Sequence, residues 1–293
     1  MVAEALPLRS SPVVREWMKH WPLLVGFAVL AIPTVITLGQ ESWSRESGAH
    51  GPIVLATGAW LISRQTKSFR DLARPSSRLL TGVLLLAGLL LGVIGHAFDF
   101  VTFQAAGLYG VGLAMLYSVF GLPALLKNWF PLFYLGFCIP PPRWVIDQVT
   151  APLKQFVSSV ATGVLHAAGL PISREGVTIQ VGAYQLLVED ACSGMNSLIG
   201  LTAISLFYIY LLRGASVRYA GVLTLLVIPI AIVGNILRIM VLILLTNYFG
   251  DQVAQGFAHF TAGIFLFGVS LLLVFLADNL LGRLLPKSWR ASA

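Results

Sequence analysis

The sequence predicts an all-α, polytopic integral membrane protein of about eight transmembrane helices with one structured outer loop. Three observations lead there. Charged side chains make up 11% of the 293 residues and hydrophobic ones 57%, whereas a water-soluble domain is about a quarter charged. Water is therefore not the solvent for most of this surface. The apolar residues are gathered into long runs separated by short charged loops, the pattern of helices crossing a bilayer. Those runs do not alternate apolar with polar, as the strands of a membrane barrel would.

The first apolar run, 22–39, follows a basic stretch holding Arg9, Arg15 and Lys19. It lacks a small-x-small cleavage pattern, so a retained helix is expected rather than a cleaved signal. Further spans are expected at 49–63, 79–97, 102–121, 124–139, 194–212, 218–246 and 259–281. Several fall short of the ~20 residues of a perpendicular span, 49–63 most of all. The 218–246 segment carries Pro229, where a kink or break is expected. The count is thus seven to nine, in a single domain over residues 1–293.

The long loop 140–193 has structure of its own. Pro140, Pro141 and Pro142 stop the preceding helix. Beyond them Leu153, Phe156, Val157, Val160, Ala161, Val164, Leu165 and Ala168 recur at helical spacing, opposite Lys154, Ser158, Ser159, Thr162 and His166. That pattern predicts an amphipathic helix at the interface, with a ninth span as the alternative. Val177 to Val181 alternates like a strand, and Gly182-Ala183 turns it back into Tyr184 to Val188 as a small hairpin.

Charge sets the orientation. With the N-terminus inside, the inner loops hold 14 of the 19 Lys and Arg residues. The outer loops hold only Arg45, Arg143, Lys154 and Arg174, and Arg238 falls within a span. That bias places both termini in the cytoplasm. The net charge of +7 is therefore a topology signal. No basic run with interleaved aromatics is present to grip a nucleic acid.

Under this topology three residues come to the outer interface. Cys192 heads a helix in Glu189-Asp190-Ala191-Cys192-Ser193-Gly194, Arg238 lies in the outer half of its span, and His259 starts the last helix. A thiol at a helix N-terminus is acidified by the macrodipole and by a nearby cation. The amides of Ser193 and Gly194 are candidates for an oxyanion hole. Against this, Glu189 and Asp190 would raise the thiol pKa if ionised nearby. A lone Cys is also common packing material, and a Cys138–Cys192 disulfide is a further alternative. An arginine inside a membrane is costly unless paired or hydrated, and so points to function; the alternative is an anchor that snorkels outward. Asn235, three residues before Arg238, shares its helical face and is expected to hold the guanidinium. His259 is less distinctive alone, because His50, His96 and His166 also map outside. No ligand spacing for a metal is evident beyond a weak His96 and Asp99 pair.

With these residues in hand, the chain resembles the exosortase and archaeosortase family from about position 43 to 280. The match rests on Phe130-Pro131-Leu132-Phe133 with Ile139-Pro140, then Arg174-Glu175-Gly176, Ala191-Cys192-Ser193-Gly194, Asn235-Ile236-Leu237-Arg238, and His259 at the head of the final helix. An earlier family feature is kept only in part, as Trp43 and Gly48-Ala49-His50-Gly51-Pro52, without its Tyr-Ser pair. The resemblance implies a cysteine transpeptidase of a bacterial inner membrane, with Cys192, Arg238 and His259 as catalytic residues and no metal or organic cofactor. It implies, as substrates, secreted proteins ending in a Pro-Glu-Pro-like motif, an apolar helix and a basic cluster. It also implies transfer to an acceptor in systems linked to exopolysaccharide production. Two other classes stay open: a non-catalytic membrane component of a polysaccharide export system, and a transporter. Only Arg238 lies clearly inside a span, which weighs against transport.

Overall fold

The computed structural model describes residues 21–45, 48–176, 178–187, 197–213, 217–250 and 257–284. Each of the eight apolar segments carries helix. Helix α1 is Trp21–Leu38, continued by a wide π-type turn over Gly39–Trp43. Then come α2 (Gly51–Arg64), a short α3 (Thr66–Asp71), α4 (Arg78–Ala97) and α5 (Val101–Lys127). Helix α6 (Trp129–Leu135) ends in a tight turn over Gly136–Cys138 and leads into α7 (Arg143–Ala167). Strands β1 (Ile172–Glu175), β2 (Thr178–Val181) and β3 (Tyr184–Leu187) follow. Helices α8 (Ser197–Arg213), α9 (Val217–Phe249) and α10 (Phe257–Leu284) complete the order. Among the described residues four segments are long and apolar enough to cross a membrane: Trp21–Trp43, Arg78–Ala97, Val101–Lys127 and Gly221–Phe249. Trp129–Cys138 and Ile199–Leu211 are shorter apolar helices. Rows of bare Leu and Val on α1 and α4, such as Val29, Ile36, Leu79, Val83, Leu86 and Val93, suit hydrocarbon and not water. The chain is a multi-pass membrane protein.

The described chain forms two compact units. One holds residues up to Gln40 together with Arg64–Leu132. Its centre is the α4–α5 hairpin, closed by a tight turn at Asp99 with φ of 54°. Glycines let the two backbones touch. A Cβ on Gly107 would overlap the backbone of Gly92, and one on Gly95 would overlap that of Gln104. Two lipid-embedded helices have no hydrophobic drive to associate, so close packing across small residues takes its place. The sequence boundary between 102–121 and 124–139 survives as a kink: Gly121 has φ of 72° inside α5, two residues before Pro123. A side chain there would be strained by that φ and would strike the carbonyl of Arg74.

The other unit holds Glu41–Ser63 and the chain from Phe133 onward. Here α2 packs on the end of α6, where Thr57 and Tyr134 share a hydroxyl hydrogen bond of 3.0 Å. The sheet runs β1-β2-β3, antiparallel throughout. Ile172 pairs with Val181, Val181 with Tyr184, and Ile179 with both Arg174 and Leu186. Cross-strand partners share a face, and the buried Ile172, Ile179, Val181 and Leu186 contribute to one core. Val157, Ala161 and Leu165 of α7 and Ile239, Leu242 and Ile243 of α9 complete it. The predicted hairpin is thus present with its turn at Gly182 (φ of 56°), and β1 joins it as an unexpected third strand.

One expectation is refined and one corrected. Helix α7 divides its apolar residues: Val157, Ala161 and Leu165 are buried in the core, Phe156 and Val164 on the same predicted face are exposed, and Ser158 and Thr162 are buried. The buried side of α7 faces the sheet, and there Arg174 of β1 donates to Ser158 Oγ and to the Gln155 carbonyl, both at 3.0 Å. Helix α9 also continues through Pro229 without a break. The flanking Val227, Ile230 and Ala231 are packed against Leu201 of α8 and Leu271 and Val274 of α10, and that packing holds the helix across the missing hydrogen bond.

Candidate active site

The candidate site builds outward from α9. This helix has 33 residues, about 50 Å at ~1.5 Å per residue, against a hydrocarbon core of about 30 Å. Its surplus length enters the core shared with α7 and the sheet. Arg238 stands just before Ile239, the first buried residue of α9 in that core. From Val217 to Arg238 the helix rises by close to one hydrocarbon thickness. Arg238 is 4% exposed and engaged by neighbours. It is therefore held inside the protein and does not simply snorkel to water.

Helices α9 and α10 run antiparallel and approach tightly at Gly234, where a Cβ would overlap Ser270 Oγ. From that contact Arg238 lies one helical turn further along α9. His259 lies eleven residues before Ser270 on α10, three turns away in the same direction. The two residues thus belong to the same end of the helix pair, the end where α9 meets the sheet. Helix α8 joins at this level too. Its Leu201 packs beside Ile230 and Ala231 of α9, which puts its start, Ser197, one turn outward and level with Gly234 and Asn235. Cys192, Ser193 and Gly194 precede Ser197 and lie outside the described residues, as do Glu189 and Asp190.

Asn235 departs from its expected role. It is 5% exposed, yet among the described residues neither Oδ1 nor Nδ2 has a hydrogen-bond partner. It does not hold the guanidinium, which is engaged elsewhere.

Three features have a structural role that the sequence did not assign. Asp278 is a second buried charge within a long apolar helix, 5% exposed. Tyr208 donates to its Oδ2 at 2.9 Å, and Tyr219 donates to its Oδ1 at shorter range. Its signal, an acid inside an apolar run, was present in Leu276-Ala277-Asp278-Asn279-Leu280. Tyr219 lies nineteen residues before Arg238 on α9, a separation of about five helical turns, so the two charges do not pair. The apolar cluster of Leu201, Val227 and Val274 lies between them, which argues against a polar track. Second, Trp43, His50 and Gly51 form one structure. A Cβ on Gly51 would overlap the Trp43 indole. His50 Nε2 lies 3.3 Å from the Phe137 carbonyl, and the His50 side chain packs on Gly200 of α8. Third, Arg174 staples the sheet to α7, as described above.

A multi-pass helical protein with a buried arginine and a histidine-headed helix at one end of a membrane bundle defines the class. The family described as transmembrane exosortase matches residues 43–276, and the chain belongs to that family. Curated proteins and solved structures give no match.

Proposed function

We propose that the protein is a cysteine transpeptidase that cleaves the C-terminal sorting tail of secreted proteins and passes them to an acceptor. The carrying observation is the burial of Arg238 at the end of the α9–α10 pair where His259 lies in the first turn of α10, in a chain of the exosortase family. A guanidinium kept out of water is strong where negative charge develops.

In this mechanism the Cys192 thiolate attacks the scissile carbonyl carbon. The amides of Ser193 and Gly194, with Arg238, stabilise the oxyanion. The C–N bond breaks, a thioester forms on Cys192, and His259 gives a proton to the leaving amine. An acceptor amine or water, deprotonated by His259, then attacks the thioester and restores the thiolate. The substrates are secreted proteins ending in a Pro-Glu-Pro-like motif, an apolar helix and a basic cluster, and the pathway serves exopolysaccharide production. The enzyme sits in the bacterial inner membrane with both termini cytoplasmic and its site at the periplasmic face. The rise from Val217 to Arg238, close to one hydrocarbon thickness, supports a site at the outer boundary.

The test is processing of a tailed substrate by Cys192→Ala, normalised to enzyme in the membrane. Processing should be abolished, with an acyl adduct on Cys192 detectable by mass spectrometry in the wild type. Unchanged processing by Cys192→Ala would refute the reading and favour a non-catalytic export component.

A further inference from the structure

We infer that Asn235 is a substrate-binding residue whose side-chain amide receives one peptide unit of the tail beside the scissile bond. The inference rests on the transpeptidase reading and deepens it. Asn235 is 5% exposed, and neither Oδ1 nor Nδ2 has a hydrogen-bond partner among the described residues. Buried polar atoms are almost always satisfied, and an amide with both ends unmet calls for a reason. A helix interior offers cheap solutions: Thr246 on the same helix returns its hydroxyl to the Leu242 carbonyl at 2.9 Å. Among the described residues Asn235 makes no such bond.

Its position supplies the reason. Asn235 is one turn from Arg238 and beside the Gly234–Ser270 approach of α9 to α10. It is level with Ser197 at the start of α8, five residues after Cys192 in the sequence. A tail cleaved at this depth must present an extended peptide, and extended backbone has no internal hydrogen bonds. Near hydrocarbon each unmet N–H and C=O must find a protein partner. A carboxamide carries one acceptor and one donor group in a plane, the complement of a single peptide unit. A charged side chain would match only one of the two, and a hydroxyl lacks the geometry. The open amide is thus preorganised for substrate, at a cost in stability of the free enzyme.

The experiment uses the full chain in lipid nanodiscs. The probe is a synthetic peptide carrying Pro-Glu-Pro, an apolar segment of about 20 residues and a Lys/Arg cluster. Asn235→Leu should raise KM for its cleavage about tenfold or more, with kcat less affected, and Asn235→Asp should do the same by losing the donor. Binding is read separately in the Cys192→Ala background. The peptide should raise the unfolding temperature of Cys192→Ala and fail to raise that of Cys192→Ala with Asn235→Leu. Without peptide, Asn235→Leu should unfold no earlier than wild type, since an unmet amide is removed. If Leu overpacks the site, Asn235→Ala provides the same readings. Wild-type KM together with an intact peptide-induced shift in the Asn235 variants would overturn the inference while leaving the transpeptidase standing. Absence of Cys192-dependent cleavage of this peptide by wild type would overturn both.

Discussion

Arg238 and Asp278 are both buried charges on long apolar helices, yet their surroundings give them different work. Asp278 is closed off by the hydroxyls of Tyr208 and Tyr219, a satisfied group that fastens α8, α9 and α10 together. Hydrogen bonds to charged groups are worth about 1.5–3 kcal/mol each. Tyr219→Phe should therefore lower stability by roughly that amount, read from thermal unfolding of purified enzyme, while turnover per folded molecule stays near wild type. A matching loss of turnover would make the cluster functional. Arg238 lies at the other end, where α9 meets the sheet. If it is only a structural positive charge, Lys should serve nearly as well, because Lys supplies the same charge. If it stabilises an oxyanion, its planar fork of donors matters. Losing one such preorganised donor costs about 10²–10³ in rate, and Arg238→Lys should cut processing by that factor with the protein still inserted. The assay is substrate cleavage per unit of membrane-resident enzyme, and near-normal turnover would reduce Arg238 to a structural charge. Arg238 was legible in the sequence because an arginine in an apolar run breaks the pattern. Asp278 carries the same signal but sits near the end of its run, where loop and span are hard to divide.

At the scale of elements, hydropathy was enough to locate the membrane helices, because the bilayer demands long apolar runs and nothing local competes with that demand. It was not enough for contacts. Strand β1, Ile-Ser-Arg-Glu, buries Ile172 alone, so no alternation announces it, and its partner β2 creates it. The buried side of α7 was hidden for a related reason, since it is set by the sheet and α9 packed against it, long-range partners that periodicity does not reveal. The α4–α5 hairpin shows what sequence hides about packing. Gly82 and Gly107 look alike in an apolar run, but a Cβ at Gly82 meets nothing within 4 Å, whereas one at Gly107 meets the backbone of Gly92. Gly107→Ala should force the helices apart and cost about 1–3 kcal/mol. Gly82→Ala should be neutral or stabilising by up to ~1 kcal/mol through helix propensity. Thermal unfolding of the two variants in one detergent decides it, and equal midpoints would show that the hairpin does not depend on glycine packing.

At the scale of the whole molecule, the catalytic proposal stands or falls with orientation, because a sorting enzyme must meet its substrates on the outer side of the inner membrane. The argument for orientation is electrostatic. Fourteen Lys and Arg residues fall in the inner loops and four in the outer ones, and translocating basic loops is disfavoured. The densest group, Arg64, Lys67, Arg70, Arg74 and Arg78, flanks and includes α3. Under that orientation the sheet belongs to an outer loop, and its exposed Ser173 and Glu175 suit water. Single cysteines placed at exposed positions in a background lacking Cys138 and Cys192 test this in intact cells. Ser173→Cys should react with a membrane-impermeant maleimide added outside once the outer envelope is permeabilised. Lys67→Cys should react only after the inner membrane is opened. The reverse pattern would put the α9–α10 end carrying Arg238 and His259 in the cytoplasm. No secreted tail could then reach Cys192 after export, and the transpeptidase mechanism would have to be abandoned whatever the Arg238 variants showed.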